Sequence, residues 1–115
     1  ALSDAITQWA NFGSLIHALH TSDYDLIKES LHDVVVEPHR SKLIPHFNAV
    51  KKAAITAGAL GCGISGSGPS IFTLSNSLET SNNVKDAIKN VYSKTGIAFE
   101  IHVSKINTEG VKIIS

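Results

Sequence analysis

The chain has 115 residues, with ten basic and ten acidic side chains that cancel and 43% hydrophobic residues. That is one ordinary domain with a core of its own, no basic stripe for nucleic acid or an anionic membrane surface, and no apolar run near the roughly 20 residues of a membrane span. One cysteine cannot close an internal disulfide, so a reducing compartment, the cytoplasm, is expected.

The sequence contains no methionine and opens already in helical rhythm, which reads as a piece of a longer protein. A first helix is predicted over residues 4–20, capped by Ser3 or Asp4. Its apolar residues (Ile6, Trp9, Phe12, Leu15, Ile16, Leu19) lie on more than one face, so heavy burial is expected, with close packing at Gly13. A second helix is predicted in 21–36, capped by Ser22 and ended before Pro38, which disfavours helical geometry at Glu37. A third covers 41–58: Phe47, Val50, Ala54 and Ala57 share a face, Pro45 falls in the first turn, and Gly58 ends it.

The rhythm then changes. "CGIS" and "SIFTLS" read as two short strands around a glycine-rich stretch. A further helix carries Val84, Ala87, Ile88, Val91 and Tyr92 on one face and stops at Gly96. "AFEIHVS" (98–104) alternates apolar and polar residues, and "GVKIIS" (110–115) follows the turn "NTEG"; both read as strands. The order predicts an α+β domain over 1–115, with helices packed on one face of a small, mostly antiparallel four-stranded sheet.

"GISGSGPS" (63–70) resembles a phosphate-cradling loop, but it holds no lysine and is followed by a strand. Walker and dinucleotide loops both open a helix, so neither motif fits. On spacing alone, a plain strand-to-strand turn and a turn built for close approach of a ligand remain equally open. Arg40 is the only arginine, and its two-pronged fork suits a carboxylate. On the residues alone, the simpler reading pairs it with Glu37 at a helix end. His17 and His20 are too few for a metal site and read as buried or hydrogen-bonded; no metal ligands are expected. Cys62 reads as a small core residue, and Lys51 and Lys52 as a solvated helix face.

"GISGSGPSIFTL" is similar to the third conserved motif of the GHMP kinases. The run from "VVVEPHR" through "LIPHF" to "AGALGCGISGSGPS", with "FGSLIHAL" before it and "EIHVSKINTEGVKII" after, resembles the C-terminal domain of the homoserine kinase branch. The resemblance implies a ferredoxin-like domain of an enzyme that uses ATP and Mg²⁺ to phosphorylate the hydroxyl of L-homoserine in threonine biosynthesis. It also implies an N-terminal domain, absent from this chain, that carries the phosphate loop and the magnesium carboxylate. The partners implied are homoserine, ATP and that domain, with a homodimer left open; no nucleic acid and no membrane are expected.

By the same resemblance, Arg40 contacts the substrate carboxylate and Glu37 orients its guanidinium. Gly63, Ser65, Gly66, Ser67 and Gly68 form a turn beside phosphate and substrate. The chain alone is expected to fold but to be inactive and to hold no cofactor. Two other readings stay open: another GHMP kinase acting on a different alcohol, and a non-catalytic regulatory module that binds an amino acid.

Overall fold

A computed structural model describes residues 1–114. Helix α1 (Leu2–Thr21) is followed by α2 (Tyr24–Ser30), a one-turn helix α3 (Glu37–Arg40), a 3-10 turn (Ser41–Leu43), α4 (Phe47–Thr56), strands β1 (Gly61–Ile64) and β2 (Ile71–Leu74), and α5 (Leu78–Ser93). The strands form an antiparallel hairpin in which Ile64 faces Ile71 and Gly61 faces Leu74.

Helix α1 ends because Ser22 adopts a left-handed conformation, φ 54°, and its amide donates to the Ala18 carbonyl. The Asp23 side chain then accepts from the Leu26 amide and starts α2. Two residues thus reverse the chain, and the pair of helices closes on Ala18 and Ile27, with Leu60 beside them. Asp23, rather than the expected Ser22, is the cap, and α2 stops at Ser30 rather than reaching residue 36.

The second core cluster lies under the hairpin. Ala54 of α4, Ala59, Cys62 of β1 and Val84 of α5 are buried together, with Ile71 and Ile88 packed against them. Phe47 and Val50 of α4 are also buried, and the helical spacing expected of this face is observed. Pro45 precedes the helix instead of opening it, and His46 is its cap at φ 60°. Ser77 caps α5 by accepting from the Thr80 amide.

Three further expectations are not met among the described residues. First, α1 is largely exposed: Trp9 and Phe12 each retain 67% of their surface, and of its residues only Ala18 is buried. Its principal neighbour is α2, and the apolar stripe with Ile6, Trp9 and Phe12 stays exposed. A Cβ at Gly13 would meet nothing within 4 Å, so no close packing exists there. Second, Pro38 sits in the first turn of α3, where a missing amide leaves no intrahelical bond broken. Third, the sheet has two strands, not four. Among the described residues, 98–104 and 110–114 form no strand, and Ser115, the end of the second predicted strand, lies outside them.

The third difference has a physical basis. Alternation chooses which side chains face inward, but a strand exists only where its amides find a neighbouring edge. Residues 98–104 stand across a groove of about 670 Å³ from Ile71, Phe72 and Thr73. Phe99 instead stacks on Tyr92 with ring centroids 5.6 Å apart.

Phe47 is 2% exposed and joins α4 to its surroundings. Phe47→Ala is expected to lower unfolding free energy by about 3–5 kcal/mol, measured by urea denaturation.

Candidate functional site

The glycine-rich stretch forms the tip of the hairpin. The Ser65 amide donates to the Ser70 carbonyl at 2.8 Å, and the Gly68 amide to the Ser65 carbonyl at 3.2 Å. Gly66 has φ 62° and Ser67 is not in the positive region, the pattern of a type II′ turn. Ser65, Gly66 and Ser67 are exposed, and a Cβ on Gly66 would meet nothing within 4 Å. Gly68, at φ 83°, is half-buried, and a Cβ there would lie 3.2 Å from Cδ1 of Ile44.

Gly63 differs from the tip glycines. It is buried in β1, and a Cβ would come within 3.0 Å of the Phe72 ring and 3.8 Å of Oε1 of Glu37. The missing side chain makes room for the Phe72 ring, and the Glu37 carboxylate lies within ordinary contact distance of the same position. The segment from Glu37 to Ile44 therefore runs along the hairpin, meeting it at Gly63 and again at Gly68.

Glu37 makes no direct ion pair with Arg40 among the described residues; its Oε2 accepts from Nζ of Lys51, at 2.5 Å, with both side chains mostly buried. Lys51 is thus an ion-pair residue rather than part of a solvated face, while Lys52 is exposed as expected. Arg40 is exposed at the end of α3, and no carboxylate among the described residues pairs with it. The structure brings Glu37 beside Gly63 and Ile44 beside Gly68, and gives the guanidinium of Arg40 no hydrogen bond to these residues.

A second carboxylate holds the same turn. Oδ1 of Asp33 accepts from the amides of Val35 and Val36 and from Nε2 of Gln8, and Oδ2 accepts from the amide of Glu37. Gln8 also accepts from the Val34 amide at 2.9 Å. Neither residue is visible as a site residue in the sequence; Asp33 accepts amides two and three residues on, as Asp does in Asx turns. Between α1, β1 and this loop lies a cleft of about 180 Å³, lined in part by Gln8, Phe12, Glu37, Cys62 and Phe72.

Cys62 points into the core. Burial pushes its thiol from an ordinary 9.0 up to about 11, with Lys51 opposing the rise and Glu37 adding to it. The protonated thiol is no nucleophile at neutral pH. His17 and His20, expected to be buried or partnered, are exposed. Among the described residues, no group of three or more His, Cys, Asp or Glu side chains is gathered for a metal ion.

Residues 15–94 match the family described as GHMP kinases C terminal. The chain belongs to the GHMP kinase family. This GHMP kinase domain is 49% identical to "Homoserine kinase" of Chlorobaculum tepidum over 99% of its length and 36% of the relative's. It is 50% identical to "Homoserine kinase" of Chlorobium phaeovibrioides over 98% of its length and again 36% of the relative's. The crystal structure of homoserine kinase from Cytophaga hutchinsonii matches with a TM-score of 0.90 at 50% identity, covering 93% of this chain and 34% of that one. The chain therefore spans about a third of the length of these relatives.

Two outcomes are expected at the hairpin of this GHMP kinase domain. Gly66→Val forces a β-branched residue into a left-handed turn and should cost about 1–2 kcal/mol in a thermal melt, whereas Gly66→Asn should cost less. The Cys62 thiol stays protonated in the fold to a higher pH than in the unfolded chain. Its contribution to stability is therefore full below about pH 9 and is lost as pH rises towards about 11. Unfolding free energies should fall more steeply over that window for the parent than for Cys62→Ala.

Proposed function

We propose that this chain is the C-terminal domain of a cytoplasmic homoserine kinase, which moves the γ-phosphoryl group of ATP to the side-chain hydroxyl of L-homoserine in threonine biosynthesis. The observation that carries the reading is the 49–50% identity to two homoserine kinases along 98–99% of the chain. The hairpin supports it. Phosphoryl transfer is mostly positioning and charge stabilisation, so a turn of bare backbone with open space at Gly66 suits the approach of a phosphate. No nucleophile is needed from this chain, and the buried, protonated Cys62 supplies none.

Mg²⁺ and the nucleotide are a poor fit to the residues present. The turn holds no lysine, and no donor cluster for a metal is gathered among the described residues. We assign both to the part of the protein outside this chain. The same part is assigned the exposed stripe of α1, where Leu2, Ile6, Trp9 and Phe12 retain 54–72% of their surface. The four-stranded sheet belongs to this reading too. In the complete protein, residues 98–104, with Phe99, Ile101 and Val103 on one face, close the groove and join the hairpin.

Arg40 is assigned to the α-carboxylate of homoserine, consistent with its exposure and its freedom from any carboxylate among the described residues. Gly63, Ser65, Gly66, Ser67 and Gly68 are assigned to the wall of the site beside phosphate and substrate. In the complete enzyme, Arg40→Lys should raise the KM for homoserine about ten- to a hundred-fold, the worth of a charge-assisted pair, and that for ATP far less. An unchanged homoserine KM would remove Arg40 from the substrate. For the α1 assignment, fluorescence of Trp9, the only tryptophan of this chain, should be readily quenched by acrylamide here. In the complete protein with its other tryptophans replaced, Trp9 should be protected.

A further inference from the structure

The best-held ion pair of the domain is not at its surface. Among the described residues three other charged contacts exist, Ala1 with Asp4, His102 with Glu100 and Lys112 with Glu109, and all have side chains 60% exposed or more. Lys51 and Glu37 retain only 25% and 16%. Partly buried pairs are weak stabilisers, because desolvation offsets most of the attraction, so a mainly stabilising role is a poor account of this one. Its geometry suggests another.

Lys51 projects from α4, the helix that buries Phe47, Val50 and Ala54, and its Nζ lies 6.0 Å from the centre of the Phe47 ring. Its charge is therefore fixed to the rigid core. Glu37 is the first residue of α3, and Arg40 the last. They are joined by one closed helical turn: the Arg40 amide donates to the Val36 carbonyl at 2.9 Å, and the Ser41 amide to the Glu37 carbonyl. A turn of four residues has little stiffness of its own. It is held at its start by Asp33 on the backbone of Glu37 and by Lys51 on its side chain. The Asp33 tie leads through Gln8 to α1, which is largely exposed, whereas the Lys51 tie leads to the core.

We propose that Lys51 is a positioning residue for substrate: by holding Glu37 it fixes the α3 turn on α4, and so sets where the guanidinium of Arg40 meets the carboxylate of the amino-acid substrate. The inference rests on the reading of Arg40 as the carboxylate ligand. Lys51 touches no reacting atom. Its effect falls on amino-acid binding and leaves the nucleotide aside.

The test is steady-state kinetics of the complete enzyme with homoserine and ATP varied in turn, for Lys51→Ala, Lys51→Arg, Arg40→Ala and the double variant Lys51→Ala with Arg40→Ala. Lys51→Ala should raise the homoserine KM about tenfold, the scale of coupling between contacting groups, with kcat and the ATP KM within about twofold. Lys51→Arg, which keeps the charge on α4, should recover most of the loss. In the Arg40→Ala background, Lys51→Ala should add nothing. If Lys51→Ala folds poorly, Lys51→Met keeps the apolar stem over Phe47 and replaces it. An unchanged homoserine KM in Lys51→Ala, or an effect that adds fully to that of Arg40→Ala, overturns the inference while Arg40 keeps its role. An unchanged homoserine KM in Arg40→Ala overturns the carboxylate reading itself, and the positioning route with it.

Discussion

The carboxylate of Asp33 is the constraint on which the candidate site depends. It accepts four hydrogen bonds, three from successive backbone amides at 35–37 and one from Gln8. A loop of three valines and a glutamate has no reason of its own to fold back. Val35 and Val36 stay more than 40% exposed, so burial does not hold it there. A single anion collecting amides does what burial cannot, because charge-assisted bonds to an acceptor are about twice as strong as neutral ones. With the loop fixed, α3 begins beside β1, Glu37 reaches Lys51, and the segment up to Ile44 lies along the hairpin.

The two core clusters meet at the start of β1. Leu60, the residue before the strand, closes the α1–α2 cluster, and Cys62 within it enters the cluster of α4 and α5. Small residues make this possible. Gly61 leaves room for the Leu31 side chain and Gly63 for Phe72, so on the face opposite Cys62 neighbouring side chains approach the backbone itself. The Glu37 carboxylate lies beside the same glycine strand, in ordinary contact range of Gly63. Packing and site are one solution to the same spacing.

Much of this was legible in the sequence, and the exceptions follow a rule. The hairpin, α4, α5 and Gly66 were readable because turn chemistry and helical spacing are local. The Lys51–Glu37 pair joins residues 14 apart on different elements, so its charges look like any solvated lysine and glutamate until the chain is folded. Helix α1 was misjudged because an apolar pattern reports that a face wants cover, not what covers it. The segment 98–104 shows a related limit: alternation chooses its faces, but nothing local says which edge its amides would pair with, and among the described residues it forms no strand. Pro38 was read as a stop, when in a first turn it serves equally as a start.

The hairpin carries one more consequence. It is a sheet of two four-residue strands, so each strand keeps an outer row of backbone donors and acceptors without strand partners. The run Ile71–Leu74 contains no charged residue and no proline to discourage company, and Phe72 stands 41% exposed upon it. Such an edge is a template for any extended chain that drifts past, including a second copy of itself. The groove between Ile71–Thr73 and residues 98–104 runs beside that edge. Solubility of the domain therefore rests on what occupies the groove as well as on how firmly the core is packed.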